Sequence, residues 1–262
     1  MTAAERVAGT IAVDVQQRQA VACADMAELF SAAFSFPSLE LAQALRAGAV
    51  AHDLCACLSE LGVSESCLHK VEVLGRGLSP QGLQSDTGSL LDELKREYFR
   101  LFLAPGRLVA VYPYESAFRF VAQGGEGPPA LFVNPCTVDV EACLRRADAL
   151  PADYRKEPVD AVFRELDFLR LLYTHVAVSL NEAAGDGADA GTDAGDGADA
   201  GGNARLWAEQ LQSFRAAHVD SWMPRFFERV KKEARHEVYA RLAASALVSL
   251  ENMPDISQWS LP

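Results

Sequence analysis

No stretch of this 262-residue chain approaches the ~18 consecutive apolar residues that a membrane-spanning helix needs. Stable membrane insertion is therefore not expected. The chain also lacks a C-x-x-C pair. Its six cysteines are Cys23, Cys55, Cys57, Cys67, Cys136 and Cys143. The closest spacing, Cys55-Ala-Cys57, falls in a predicted helix, where i and i+2 point apart. Reduced, packed thiols are expected, and no metal site. The N-terminus, MTAAERVAGTIAVDVQQRQ, lacks the basic-then-apolar layout of a secretory signal. The expected compartment is the cytoplasm. Basic residues are in deficit, with 24 Lys and Arg against 36 Asp and Glu. A nucleic-acid binder carries a basic patch, so that class is disfavoured. A net charge of −12 suits a basic partner.

The usual tools of catalysis are missing too. There is no G-x-x-x-x-G-K-[ST], no G-x-G-x-x-G after a strand and no G-x-S-x-G elbow. His236-Glu237 begins like a zinc-protease helix, but position 240 is alanine. Glu233-x-x-His236 has the spacing of a di-iron bundle, which needs that pair twice; it occurs once. His236 reads better as a surface or helix-end residue. No enzyme and no cofactor is implied.

What the chain does have is helical periodicity, without the alternation of strands. Helices are predicted over 15–35, from Leu41 to about Leu61, over 64–74, over 89–103, from a Thr137 or Asp139 cap to about Leu150, near 204–219, over 221–233, and from Glu237 to Leu250. Ser38 is placed to cap the second. In EPVDAVFRELDFLRLLYTHVAVSL, Val162, Leu166, Leu169, Tyr173, Val176 and Leu180 form one face. Pro158 suits the first helical position there, and Glu157 and Asp160 the positive end of the dipole. The class is all-α, a single globular helical domain spanning 1–262. Residues 182–202, EAAGDGADAGTDAGDGADAGG, cannot bury enough apolar surface to offset ordering entropy and read as a flexible insertion. A calcium-binding repeat would need an apolar residue in each unit.

Between Leu103 and Pro135 the chain is irregular by composition. Pro113 breaks it, and Tyr114, Glu115 and Ser116 follow on what reads as a loop. Loops lie at the surface, so this cluster is a candidate contact site. Four stretches stand out in order: Tyr98-x-x-Leu101-Phe102-x-x-Pro105; Pro113-Tyr114-Glu115-Ser116-Ala117-Phe118; Glu157-Pro158-Val159-Asp160 with Glu165-Leu166-Asp167-Phe168-Leu169; and His218-x-x-x-Trp222-x-Pro224-x-Phe226, leading into Ala234-Arg235-His236-x-x-Tyr239. Together they resemble the TorD/DmsD family of redox-enzyme maturation chaperones, which includes a NarJ-like branch. The likeness spans roughly residues 90–250. Two positions depart from the family's pattern. Ala161 follows Asp160 where the family often has histidine, and Ala104-Pro105 replaces Gly-Pro.

The resemblance implies a cytoplasmic all-α chaperone, a monomer or homodimer, that binds the twin-arginine signal peptide of a molybdenum-containing reductase. Such a chaperone holds the apo-enzyme until its molybdopterin is inserted and delays export. It also implies signal-peptide contact at Tyr98, Leu101, Phe102, Pro113, Tyr114, Glu115, Ser116, Glu157, Pro158, Asp160, His218 and Trp222. The physical logic is that guanidinium groups need carboxylates beside an apolar groove. Glu115, Glu157 and Asp160 would supply the first; Glu115 and Asp160, at a loop and a helix start, would be solvated by water when empty. Tyr98, Phe102, Tyr114 and Trp222 would line the second. Each has a plainer reading. Leu101 and Phe102 suit a core, Ser116 a cap, Glu157-Pro158-x-Asp160 a helix start, and His218 and Trp222 pack one turn apart. Two alternatives to the chaperone remain: a helical enzyme or cofactor-binding protein using the same acidic cleft, and a helical scaffold with no groove.

Overall fold

A computed structural model describes residues 3–76, 86–104, 109–185, 197–259 and 261. Among these residues there are helices and connections but no strand; a single antiparallel bridge joins Tyr114 and Ala161. The longest helix, α1 (Ala3–Phe34), buries Ala20, Cys23, Ala27, Phe30 and Phe34, three to four residues apart as one helical face requires. Val21, expected on that face, is exposed. Along α1 runs α8 (Val162–Gly185), which buries the predicted stripe of Val162, Leu166, Leu169, Tyr173, Val176 and Leu180. On α8 in turn lies α9 (Gly197–Phe214), held by an edge-on Phe168–Phe214 contact at 4.7 Å and by a His175–Trp207 stack at 3.9 Å. The hairpin of α10 (Met223–Glu233) and α11 (Glu237–Asn252) completes this central layer.

The helix expected from Leu41 to Leu61 is two helices. Gly48 sits at φ 75°, where a residue without Cβ is favoured, and ends α2 (Leu39–Ala47) before α3 (Ala49–Glu60). Ser38 caps α2 as expected, accepting from Leu41 N at 3.2 Å. Next come α4 (Glu65–Arg76) and α5 (Thr87–Tyr98), the latter capped by Asp86 and running on into a π-helical turn, Phe99–Leu103.

Three further boundaries differ from expectation. The Tyr114 cluster is no loop: Tyr114 is the N-cap, and Glu115 and Ser116 open α6 (Glu115–Ala122). Asn134 caps α7 (Pro135–Arg146), accepting from Thr137 N at 2.9 Å; Thr137 and Asp139 lie inside the helix. Pro158 and Asp160 precede α8, because their segment pairs its backbone with 113–115. Glu115 N donates to Asp160 O at 2.8 Å, and Val162 N to Pro113 O at 2.8 Å. Of the expected insertion, Glu182–Gly185 ends α8 and Gly197–Gly202 begins α9. Residues 186–196, like Pro105 and residues 77–85, lie outside the described residues.

Candidate functional site

The backbone pairing of 113–115 with 160–162 brings two of the four sequence stretches together, and the end of α9 brings a third. His218 lies in a π-helical turn, Arg215–Val219, that continues α9. Its Nδ1 is 2.8 Å from Glu115 Oε2, and its Nε2 is 3.1 Å from Asp139 Oδ2 on α7. Cys136 Sγ donates to Glu115 Oε2 at 2.9 Å, and Arg119, one turn beyond Glu115, pairs with the same carboxylate. Asp160 Oδ2 accepts from Ser116 N at 2.9 Å. Trp222 Nε1 donates to Glu165 Oε2 at 2.9 Å and to His218 O at 2.6 Å. At the edge, Tyr114 Oη donates to Glu157 Oε1 at 3.0 Å.

Burial and these bonds set the protonation states. Burial disfavours the His218 cation, but its bonds to Cys143 and Glu115 outweigh that and hold it up at about 9. Burial likewise opposes the Glu115 anion, yet His218 and Cys136 bring it below the usual carboxylate range. Glu165 is pushed well above that range by burial, then by the nearby Glu115 and Asp160 carboxylates. Near neutral pH the cluster thus holds an ionised Glu115 between two cations, His218 and Arg119, with Glu165 a neutral acid. Burial raises the Cys136 thiol, and its bond to Glu115 adds to this.

This arrangement corrects the expectation that Glu115 and Asp160 are solvated acids awaiting a guanidinium. Both are fully buried, with 0% of their surface exposed, and Glu115 already has its cations. Tyr98, Leu101 and Phe102 are core, as their plainer reading had it. Tyr98 meets Phe102 at 4.9 Å and Phe36 at 5.5 Å, and Phe102 stacks on Phe226 at 6.1 Å. Pro113 and Pro158 are buried, and so are His218 and Trp222. Tyr114, Ser116 and Glu157 keep partial access to solvent.

Sequence reasoning missed Arg119, Cys136 and Asp139. Arg119 was findable, being four residues beyond Glu115 on one helix; the two α7 residues carried no local signal. Glu115, Cys136 and His218 each place one ligand-type atom within 4.8 Å of the others, and so do Asp139, Cys143 and His218. A metal at the first set would have to take the protons of His218 and Cys136, both of which the surroundings hold up.

The described residues thus form a helical scaffold around a buried cluster of ionisable side chains, in which Glu115 is held by His218, Cys136 and Arg119. The chain belongs to the nitrate reductase delta subunit family, whose pattern matches residues 71–228. It is a delta-type chaperone of redox-enzyme maturation. No curated protein matches the chain to a significant degree.

Proposed function

We propose that this protein binds the twin-arginine signal peptide and apo catalytic subunit of a molybdopterin-containing reductase in the cytoplasm, aids cofactor insertion and delays export. The observation that carries this is the family match over 71–228, which includes the Pro113–Phe118, Glu157–Leu169 and His218–Phe226 stretches. A net charge of −12 favours a client segment rich in arginine. Tagged protein purified from its own cells should bring down a molybdopterin-enzyme subunit, identified by mass spectrometry. Recovery with no such subunit, together with no calorimetric heat from a twin-arginine peptide, would count against the reading.

A further inference from the structure

With Glu115 and Asp160 closed off, an arginine-bearing segment needs other carboxylates beside apolar surface. The structure has such a place outside the family-matched residues. A groove of about 530 Å³ lies between α1, α2 and α3, within the size range of ligand sites. Each helix turns one stripe into it: Asp25, Glu28, Leu29 and Ala32 from α1, Glu40, Leu41 and Ala44 from α2, and Val50, Asp53 and Cys57 from α3. These spacings of three, four and seven residues are what one helix face presents. Leu41, Val50 and Cys57 form a floor, while Asp25, Glu28, Glu40 and Asp53 stand exposed around it. Glu40 also suits the first turn of α2, whose dipole favours an acid. Asp25, Glu28 and Asp53 have no such local reason.

Among the described residues, no Lys or Arg pairs with these four acids; Asp53 meets only the exposed ring of His52, at 3.2 Å. Repulsion among them is felt at Asp25. Burial raises the Asp25 carboxyl, and Glu28 and Asp53 raise it further. Burial, then Asp25 and Asp53, pushes the Cys57 thiol up to about 11, so the floor stays uncharged. A second apolar cavity, of about 410 Å³ beside α6, is rimmed instead by Arg225 and Arg229. Its charge has the wrong sign for an arginine-bearing ligand.

We infer that the α1–α2–α3 groove is the docking site for the client's signal segment, with its apolar stretch on the floor and its adjacent arginines against Asp25, Glu28 and Asp53. The inference rests on the proposed reading of the protein as a signal-peptide receptor. Helix-in-groove recognition joins an apolar face to a charged rim in this way, and guanidinium–carboxylate bonds fix the orientation.

Calorimetry on the full chain tests it. The probes are a synthetic peptide of two adjacent arginines followed by an apolar stretch, and the same peptide with both arginines changed to glutamine. The Asp25→Asn, Glu28→Gln, Asp53→Asn triple variant should bind the arginine peptide at least tenfold more weakly. It should bind the glutamine peptide as the wild type does, so that the loss belongs to the charge pairs alone. Ala32→Trp, from an exposed position on the groove wall, should weaken both peptides with an unchanged melting temperature. Arg225→Gln, at the other cavity, should change neither. Wild-type affinity for the arginine peptide in the triple variant and in Ala32→Trp would overturn the groove assignment while leaving the receptor reading intact. If the wild type binds neither peptide, the receptor reading falls and the groove assignment with it. If light scattering shows that Ala32→Trp turns a dimer into a monomer with peptide affinity unchanged, the groove belongs to a second copy and the assignment is wrong.

Discussion

Glu97 and Glu165 are both buried carboxyls, and their neighbours send them in opposite directions. Glu97 accepts from Arg100 Nη2 at 2.7 Å, Arg235 N at 2.6 Å and His236 N at 3.2 Å, tying α5 to the α10–α11 turn. Burial opposes its charge, but these bonds win and hold it at about 2. Its folded value lies below the ordinary 4.5, so its contribution is full above pH 4.5 and is lost as pH falls toward 2. Glu97→Gln should cost roughly 3 kcal/mol at pH 7, from a shift of about 2.5 pKa units. Urea unfolding should show that gap closing near pH 2. For Glu165 the sign reverses. Its folded value is raised, so the folded chain keeps a proton that the unfolded chain releases above pH 4.5, and stability falls as pH rises from there. Glu165→Gln keeps an acceptor for Trp222 and needs no proton. Its melting temperature relative to wild type should therefore climb from pH 5 to pH 8; a flat difference would mean that Glu165 is ionised. His218, raised to about 9, adds a loss of stability between pH 6.5 and 9 that His218→Gln should remove.

At the scale of elements, side chains on several helices close each contact, and this decides which substitutions matter. Phe102, only 3% exposed, meets Tyr98 from the turn before it, Phe226 on α10 and Tyr239 on α11. Phe102→Ala should cost about 3–5 kcal/mol in chemical unfolding, since three elements cannot all collapse into the gap. Helices α8 and α9 hold one another through Phe168–Phe214 and His175–Trp207. Replacing 186–196 with a short Gly-Ser linker should then leave thermal stability within about 1 kcal/mol, because closure entropy changes slowly with length. A larger drop in melting temperature would show that the segment packs.

For the whole molecule, charge decides what it attracts. With a net charge of −12 and four acids around one groove, binding of the twin-arginine peptide should weaken as salt rises from 50 to 500 mM, because exposed charge pairs are screened. The glutamine peptide should show little such dependence. Equal salt dependence for both would mean that the arginines make no ion pairs in the complex.

Helical periodicity was enough to settle the all-α class and the stripe of α8, because a buried face repeats every three to four residues along one element. Local chemistry also marked the Ser38 cap and the break at Pro113. Which acids face water was beyond its reach. Glu115 and Asp160 read as solvated ends of elements, and only the pairing of 113–115 with 160–162, 44 residues and more along the chain, sealed them in. Asp25, Glu28 and Asp53 carried no motif at all. They became a rim once α1 and α3 packed side by side, since exposure is a property of neighbours in space and not of neighbours in sequence.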